Sequence, residues 1–101
     1  MNLKLETVNF QSFEALEKLI NSLAKKRFGK LKFISSIKVF IKKQTDPRVP
    51  WKAEIELKPV NGAPLFAESQ SSHYITAFSQ SVNRISRQLE KYRGRNFEHR
   101  A

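Results

Sequence analysis

The segment KAEIELKPVNGAPLFAE (52–68) constrains the fold more than any other part of the sequence. Its first half alternates apolar and charged residues, which is the period of a strand with one buried face. Asn61-Gly62 then forms a strong hairpin signal, because both residues tolerate the positive φ angles of tight turns. The run from Ala63 to Glu68 is therefore predicted to return antiparallel to the strand before it.

Two other alternating segments predict the rest of a sheet. Leu3 and Leu5 alternate with polar residues in a strand that ends near Asn9, and the run from Ile37 to Lys43 predicts a second strand. The intervening TDPRVP segment, with two prolines, predicts a loop before the third strand. The chain therefore supplies four strands.

The segment between the first two strands predicts a helix. Ser12 is a suitable N-cap, and Gly29 is a natural end. Between them, the apolar residues at helical spacing are Leu16, Leu19, Ile20 and Leu23.

The C-terminal segment predicts a second helix, which Ser71 or Ser72 caps and which Gly94 ends or weakens. Its apolar residues recur at intervals of three and four: Tyr74, Ile75, Phe78, Val82, Ile85, Leu89 and Tyr92.

The order of these elements predicts the fold class. A helical crossover makes the first two strands parallel, whereas the hairpin makes the last two antiparallel. We therefore expect an α+β fold of order βαβββα, with a four-stranded mixed sheet and two helices packed on one face. The length of 101 residues suits one domain spanning residues 1–101.

The composition limits the partners. Nineteen Lys and Arg against nine Asp and Glu give a formal net charge of +10, which attracts polyanions. Nucleic acid is the first candidate partner, and an anionic membrane surface is the second. The absence of cysteine suits a reducing cytosol, and no apolar run approaches the roughly 18 residues of a membrane-spanning helix. We expect a soluble cytoplasmic protein that does not bind membranes.

The last helix carries basic residues on the side opposite its apolar face. At about 100° per residue, Arg84, Arg87 and Lys91 fall within roughly 60° of each other. From residue 72 to residue 101, six basic residues stand against two acidic ones. Charged residues are common on solvated helix faces, so the alternative interpretation is a purely structural one.

The end of the first helix shows the same bias. The segment AKKRFGKLK contains five basic residues and no acid: Lys25, Lys26, Arg27, Lys30 and Lys32. Cations also suit a helix C-terminus, which explains part of this cluster. If the helices lie side by side, their outward faces form one basic surface suited to a phosphate backbone.

Other functional residue types are weakly represented. Phe40, Trp51 and Phe66 fit either a base-stacking surface or a minor core that covers the sheet. His73 and His99 lack nearby ligand-spaced acids, and no glycine motif for phosphate binding is present. We therefore expect no enzymatic activity, metal or cofactor.

The stretch VNGAPLFAESQSSHYITAFSQSVNRISRQLEKYRGR resembles the ribosome hibernation-promoting factor and ribosome-associated inhibitor family, also called sigma-factor modulation proteins. The similarity lies in the Asn-Gly turn, Ala67, Tyr74, the apolar pair of Ile75 and Phe78, and the closing RISRQLEK. Ser72 stands where the family usually has Asp. The ending GRNFEHRA makes the chain resemble the short hibernation factors.

The resemblance implies a domain that binds the small ribosomal subunit through its rRNA, occupies the mRNA and tRNA channel, and regulates translation during the stress response. It implies rRNA contacts by Arg84, Arg87, Lys91 and Lys25. Lys26 and Lys30 belong to the same basic surface, and Arg93 and Arg95 extend it. We expect the free protein to be a monomer, and a separate factor that pairs ribosomes is a further candidate partner.

Two alternatives remain open at the level of sequence. The same charge suits a general double-stranded RNA-binding module. A modulator of a transcription factor, which would use the sheet face for contact, is the other alternative.

Overall fold

Four strands form one mixed sheet in the computed structural model, which describes residues 2–97 and the side chains of residues 2–92. The elements are β1 (Asn2–Val8), α1 (Glu14–Phe28), β2 (Ile34–Lys43), β3 (Trp51–Pro59), β4 (Leu65–Ser71) and α2 (Tyr74–Phe97). The strand order is β1-β2-β3-β4, with β1 parallel to β2 and the other neighbours antiparallel. The predicted α+β fold of order βαβββα is confirmed.

One face of the sheet forms the core with both helices. Strand register places Val39 beside Ile55 and Ile55 beside Ala67, so the odd-numbered residues of β2 to β4 share a face. The apolar residues in the middle of these strands, such as Val39, Ile55 and Ala67, are buried against apolar side chains from α1 and α2. The alternation visible in the sequence is therefore the alternation between the helix-covered face and an open face.

The first helix differs from its prediction at two positions. Phe13 occupies the N-cap position without a side-chain hydrogen bond, and the Ser12 hydroxyl instead donates to the Glu17 carboxylate at 3.1 Å. Leu19 is 38% exposed, because the buried face turns from Leu16 and Ile20 towards Ala24 and Phe28. The prediction of a Ser12 cap is therefore wrong, and Leu19 lies outside the buried face although its spacing places it on one face with Leu16 and Ile20. The helix ends before Gly29 as predicted.

The second helix starts later and runs further than its sequence signals indicate. Its first turn begins with the His73 carbonyl, which accepts a hydrogen bond from the Ala77 N–H. The Ser71 hydroxyl accepts a bond from the His73 N–H before the helix, so the predicted cap at residue 71 or 72 is wrong. The helix continues past Gly94 to Phe97, which is consistent with the modest cost of one helical glycine, about 1 kcal/mol.

Irregular pairing at the start of β2 explains why this strand begins earlier than the alternation of its residues predicts. The strand begins at Ile34, three residues before the predicted start, and the register shifts between Ile34 and Ser36. This shift places buried Ile34 and Ile37 three residues apart, which breaks the period of two. The predicted hairpin is confirmed, although β4 spans Leu65–Ser71 instead of residues 63–68.

Neither helix of the described residues is long and apolar enough to cross a membrane.

Candidate nucleic-acid interface

The two helices lie side by side and run in the same direction. The ring of Phe13, just before α1, makes an edge contact with Tyr74 at the start of α2. At the other end of α1, Arg27 donates hydrogen bonds to the Ser86 hydroxyl at 3.3 Å and to Asn83 Oδ1 at 3.4 Å. Polar bonds therefore join the helices where α1 ends.

A groove of about 350 Å³ separates the helices next to these bonds. Its apolar lining comes from both helices, and its polar lining contains two cations but no acid. The lining residues are Leu23, Lys26, Arg27, Phe78, Ser79, Val82 and Asn83.

A second, shallower depression of about 300 Å³ lies on the outer side of α2. Gln80, Asn83, Arg84 and Arg87 line it, so two of the predicted arginines are brought together. Asn83 belongs to both depressions. A polar, cationic surface therefore continues from the end of α1 across Asn83 to the outer side of α2; we call it the helix-side surface.

All predicted basic site residues with described side chains are exposed, namely Lys25, Lys26, Lys30, Arg84, Arg87 and Lys91. None of them forms an ion pair with a carboxylate in the part of the chain whose side chains are described. The side chains of Arg93 and Arg95 lie outside the described residues, as does His99. Lys25 lies about 100° around α1 from Lys26 and does not line the groove, so the rRNA contact expected of Lys25 stays a prediction.

Arg84 has a structural contact that the sequence did not reveal. Its Nη1 donates to the backbone carbonyl of Glu68 at 2.7 Å, and Gln88 Nε2 donates to the carbonyl of Phe66 at 2.7 Å. Both carbonyls belong to β4, an edge strand of the sheet. Arginine carries five N–H donors, so this bond orients Arg84 and leaves donors for a ligand.

The open face of the sheet holds a mixture of charges. Four of the nine acidic residues lie there: Glu6, Glu54, Glu56 and Glu68. Lys42 and Lys52 bind Glu54 at 2.8 and 3.6 Å, and Lys52 also binds Glu68 at 3.2 Å. The hydrogen bond to Glu68 is the main reason that the pKa of Lys52 lies above its ordinary value. Acids therefore pair with Lys42 and Lys52 on this face, whereas the cations of the helix-side surface have no such pairs among the described residues.

Phe40, Trp51 and Phe66 do not share one face of the sheet. Trp51 lies on the helix-covered face, where its ring makes edge contacts with Phe10 and Tyr74 at centroid distances of 5.0 and 5.5 Å. Phe40 and Phe66 point from the opposite face, as their register with Glu54 and Glu56 shows. The interpretation of these three rings as one base-stacking surface is therefore wrong.

Among the residues that the structure describes, no three His, Cys, Asp or Glu side chains come together in a way that could hold a metal ion.

Comparison with known proteins agrees with the fold and with the resemblance seen in the sequence. The sequence profile described as Sigma 54 modulation protein / S30EA ribosomal protein matches residues 3–96. No curated protein matches the sequence.

Two solved structures share the fold at low identity. A ribosomal subunit interface protein from Coxiella burnetii is 17% identical with a TM-score of 0.78, covering 93% of this chain and 99% of that one. The N-terminal domain of Protein Y from Thermus thermophilus is 19% identical with a TM-score of 0.76, covering 92% of this chain and 100% of that one. Because the family profile spans nearly the whole sequence, the chain belongs to the Sigma 54 modulation protein / S30EA ribosomal protein family.

Proposed function

We propose that this protein is a cytoplasmic, ribosome-associated translation inhibitor, a hibernation factor that binds small-subunit rRNA and occludes the mRNA and tRNA channel. Family membership and the fold shared with a ribosomal subunit interface protein from Coxiella burnetii support ribosome association. One observation on the molecule carries the finer proposal. The helix-side surface presents cations without ion pairs among the described residues, whereas the open sheet face carries acids among its lysines and pairs Lys42 and Lys52 with them.

The proposed contact is electrostatic and directed at the RNA backbone. Arg87 can donate two parallel hydrogen bonds to one phosphate, whereas Lys26 and Lys91 act as mobile point charges. Each phosphate that is neutralised releases counterions, so affinity falls with salt by a slope of about 0.7 to 0.9 per contact. Inhibition follows from occupied space, and the mechanism includes no chemical step.

Charge reversal on α2 tests the contact directly. We expect Arg87→Glu with Lys91→Glu to abolish co-sedimentation with purified small ribosomal subunits and to flatten the dependence on salt. Both residues are exposed and make no described ion pair, so folding should persist. Arg84 is left intact because it also bonds to β4.

The matched control reverses the same number of charges on the open sheet face. Lys38→Glu with Lys58→Glu changes two exposed lysines that form no described ion pair, and this variant should bind like the natural chain. Equal loss in both variants would show that only total charge matters. Unchanged binding in the α2 variant would place the contact elsewhere.

The double-stranded RNA-binding alternative predicts a different competition result. Under our proposal, naked duplex RNA should compete poorly with small subunits at physiological salt. Equal affinity for both would favour the general RNA-binding module.

A further inference from the structure

We propose that the groove between α1 and α2 receives one unstacked nucleotide of a single RNA strand, with the base against its apolar lining and the phosphate on Lys26 and Arg27. This inference rests on the proposed function, because it specifies how the same helix-side surface engages RNA. The proposed function assigns only phosphate contacts to this surface, and this inference adds a site that binds a base.

The groove has the mixed chemistry that a nucleotide requires. Leu23 of α1 and Val82 of α2 form apolar walls, above nearly fully buried Phe78. Leu19 lies one turn before Leu23 on the same side of α1 and is 38% exposed, so apolar surface continues from the groove.

Polar groups border these walls at defined positions. The bond from Arg27 occupies Oδ1 of Asn83 and leaves the amide N–H groups of Asn83 to donate to a base edge. The Ser79 hydroxyl, on the preceding turn, can donate or accept. Such convergent polar groups around an apolar site are typical of small-ligand recognition.

Charge and size select the class of ligand. Lys26 and Arg27 both line the groove, and no acidic side chain of the described residues does, so the groove favours a ligand with negative charge. A volume of about 350 Å³ lies at the low end of ligand sites, which suits one nucleotide. Paired bases are not available to such a site, whereas unpaired RNA bases are readily turned out and bound on their edges.

The test fills the groove without changing charge. Ser79→Phe places a ring in the groove from an exposed position, and Thr76→Phe adds the same ring on α2 at an exposed position that does not line the groove. An amide NMR spectrum of each variant checks that the fold is intact. The probes are a short single-stranded RNA, the same sequence as a duplex, guanosine monophosphate, and a polyglutamate peptide.

We expect the single-stranded RNA to shift the Asn83 side-chain amide and the methyl resonances of Leu23 and Val82. The affinity of the single-stranded RNA should fall about five- to tenfold in Ser79→Phe, which is the lower part of the range for the loss of contacts to one base. It should stay unchanged in Thr76→Phe. The duplex, guanosine monophosphate and the peptide should shift these resonances weakly at equal concentration.

Each other result overturns the proposal. An equal response to duplex RNA would show a phosphate contact without a base site. An equal response to guanosine monophosphate would show a free-nucleotide site, and an equal response to polyglutamate would show a site for acidic protein. Unchanged affinity in Ser79→Phe would exclude the groove.

Co-sedimentation separates this inference from the proposed function. If Ser79→Phe binds small subunits as tightly as the natural chain, the nucleotide site fails and the ribosome contact stands. If the natural chain does not bind small subunits, the proposed function fails, and the response to single-stranded RNA alone decides whether the groove binds a nucleotide.

Discussion

At the scale of single residues, Gly62 links the hairpin turn to the far end of α2. Its φ of 109° is strained for any residue with a Cβ, and an added Cβ would lie 3.2 Å from the Tyr92 ring. The Tyr92 hydroxyl donates to the carbonyl of neighbouring Asn61. Any other residue at this position would therefore strain the turn and crowd Tyr92.

Gly62→Ala should lower the free energy of unfolding by about 1 to 3 kcal/mol, because it adds backbone strain and crowds Tyr92. Urea unfolding followed by circular dichroism measures this change. Ala63→Ser is a suitable control in the same turn, since Ala63 is exposed and has no positive φ, and it should stay within about 0.5 kcal/mol. Equal stability of Gly62→Ala and the natural chain would contradict the described turn.

At the scale of elements, α2 both covers the core and closes the edge of the sheet. Edge strands expose unpaired backbone groups that invite pairing with other chains. Arg84 and Gln88 project from α2 onto the carbonyls of Glu68 and Phe66 in β4. The same helix therefore protects this edge and presents cations to solvent.

Arg84→Ala with Gln88→Ala should destabilise the protein by about 1 to 2 kcal/mol, since each hydrogen bond contributes about 0.5 to 1 kcal/mol. The variant should also self-associate more readily, which sedimentation velocity would detect. Arg87→Ala removes one charge without a described bond to the sheet, and it should leave stability unchanged while weakening binding to small subunits. Equal stability of all three proteins would show that the edge contacts contribute nothing.

The element scale also shows what sequence alone could predict. The strict alternation of Ala53, Ile55 and Leu57 with charged residues predicts β3 and its buried face, because successive side chains of a strand point to opposite faces of the sheet. The start of β2 could not be predicted from the alternation of residues, because the register shift between Ile34 and Ser36 depends on pairing with β3. Element order was predictable from local pattern, whereas boundaries depended on tertiary pairing.

The candidate site was predictable to a similar extent. Helical angles alone predicted that Arg84 and Arg87 lie together, and they line one depression. The bonds from Arg27 to Asn83 and from Arg84 to Glu68 required the relative positions of elements distant in sequence. The groove between the helices could not be predicted for the same reason, because its lining comes from α1 and α2, which are distant in sequence.

At the scale of the whole molecule, the two layers carry different charge patterns. The open sheet face pairs lysines with Glu54 and Glu68, so its field is largely local. The helix-side surface carries cations without such pairs among the described residues, and a formal net charge of +10 remains on the chain. This arrangement should orient the molecule on a polyanion with its helices inward.

If the helix-side surface holds the protein where tRNA would bind, the protein and tRNA should compete for the small subunit. The measurement is retention of labelled tRNA on mRNA-programmed small subunits, at physiological salt, as the protein is added. We predict that the natural chain displaces tRNA at near-equimolar binding, whereas Arg87→Glu with Lys91→Glu leaves tRNA bound. Full retention of tRNA on subunits that also carry the natural chain would contradict the account.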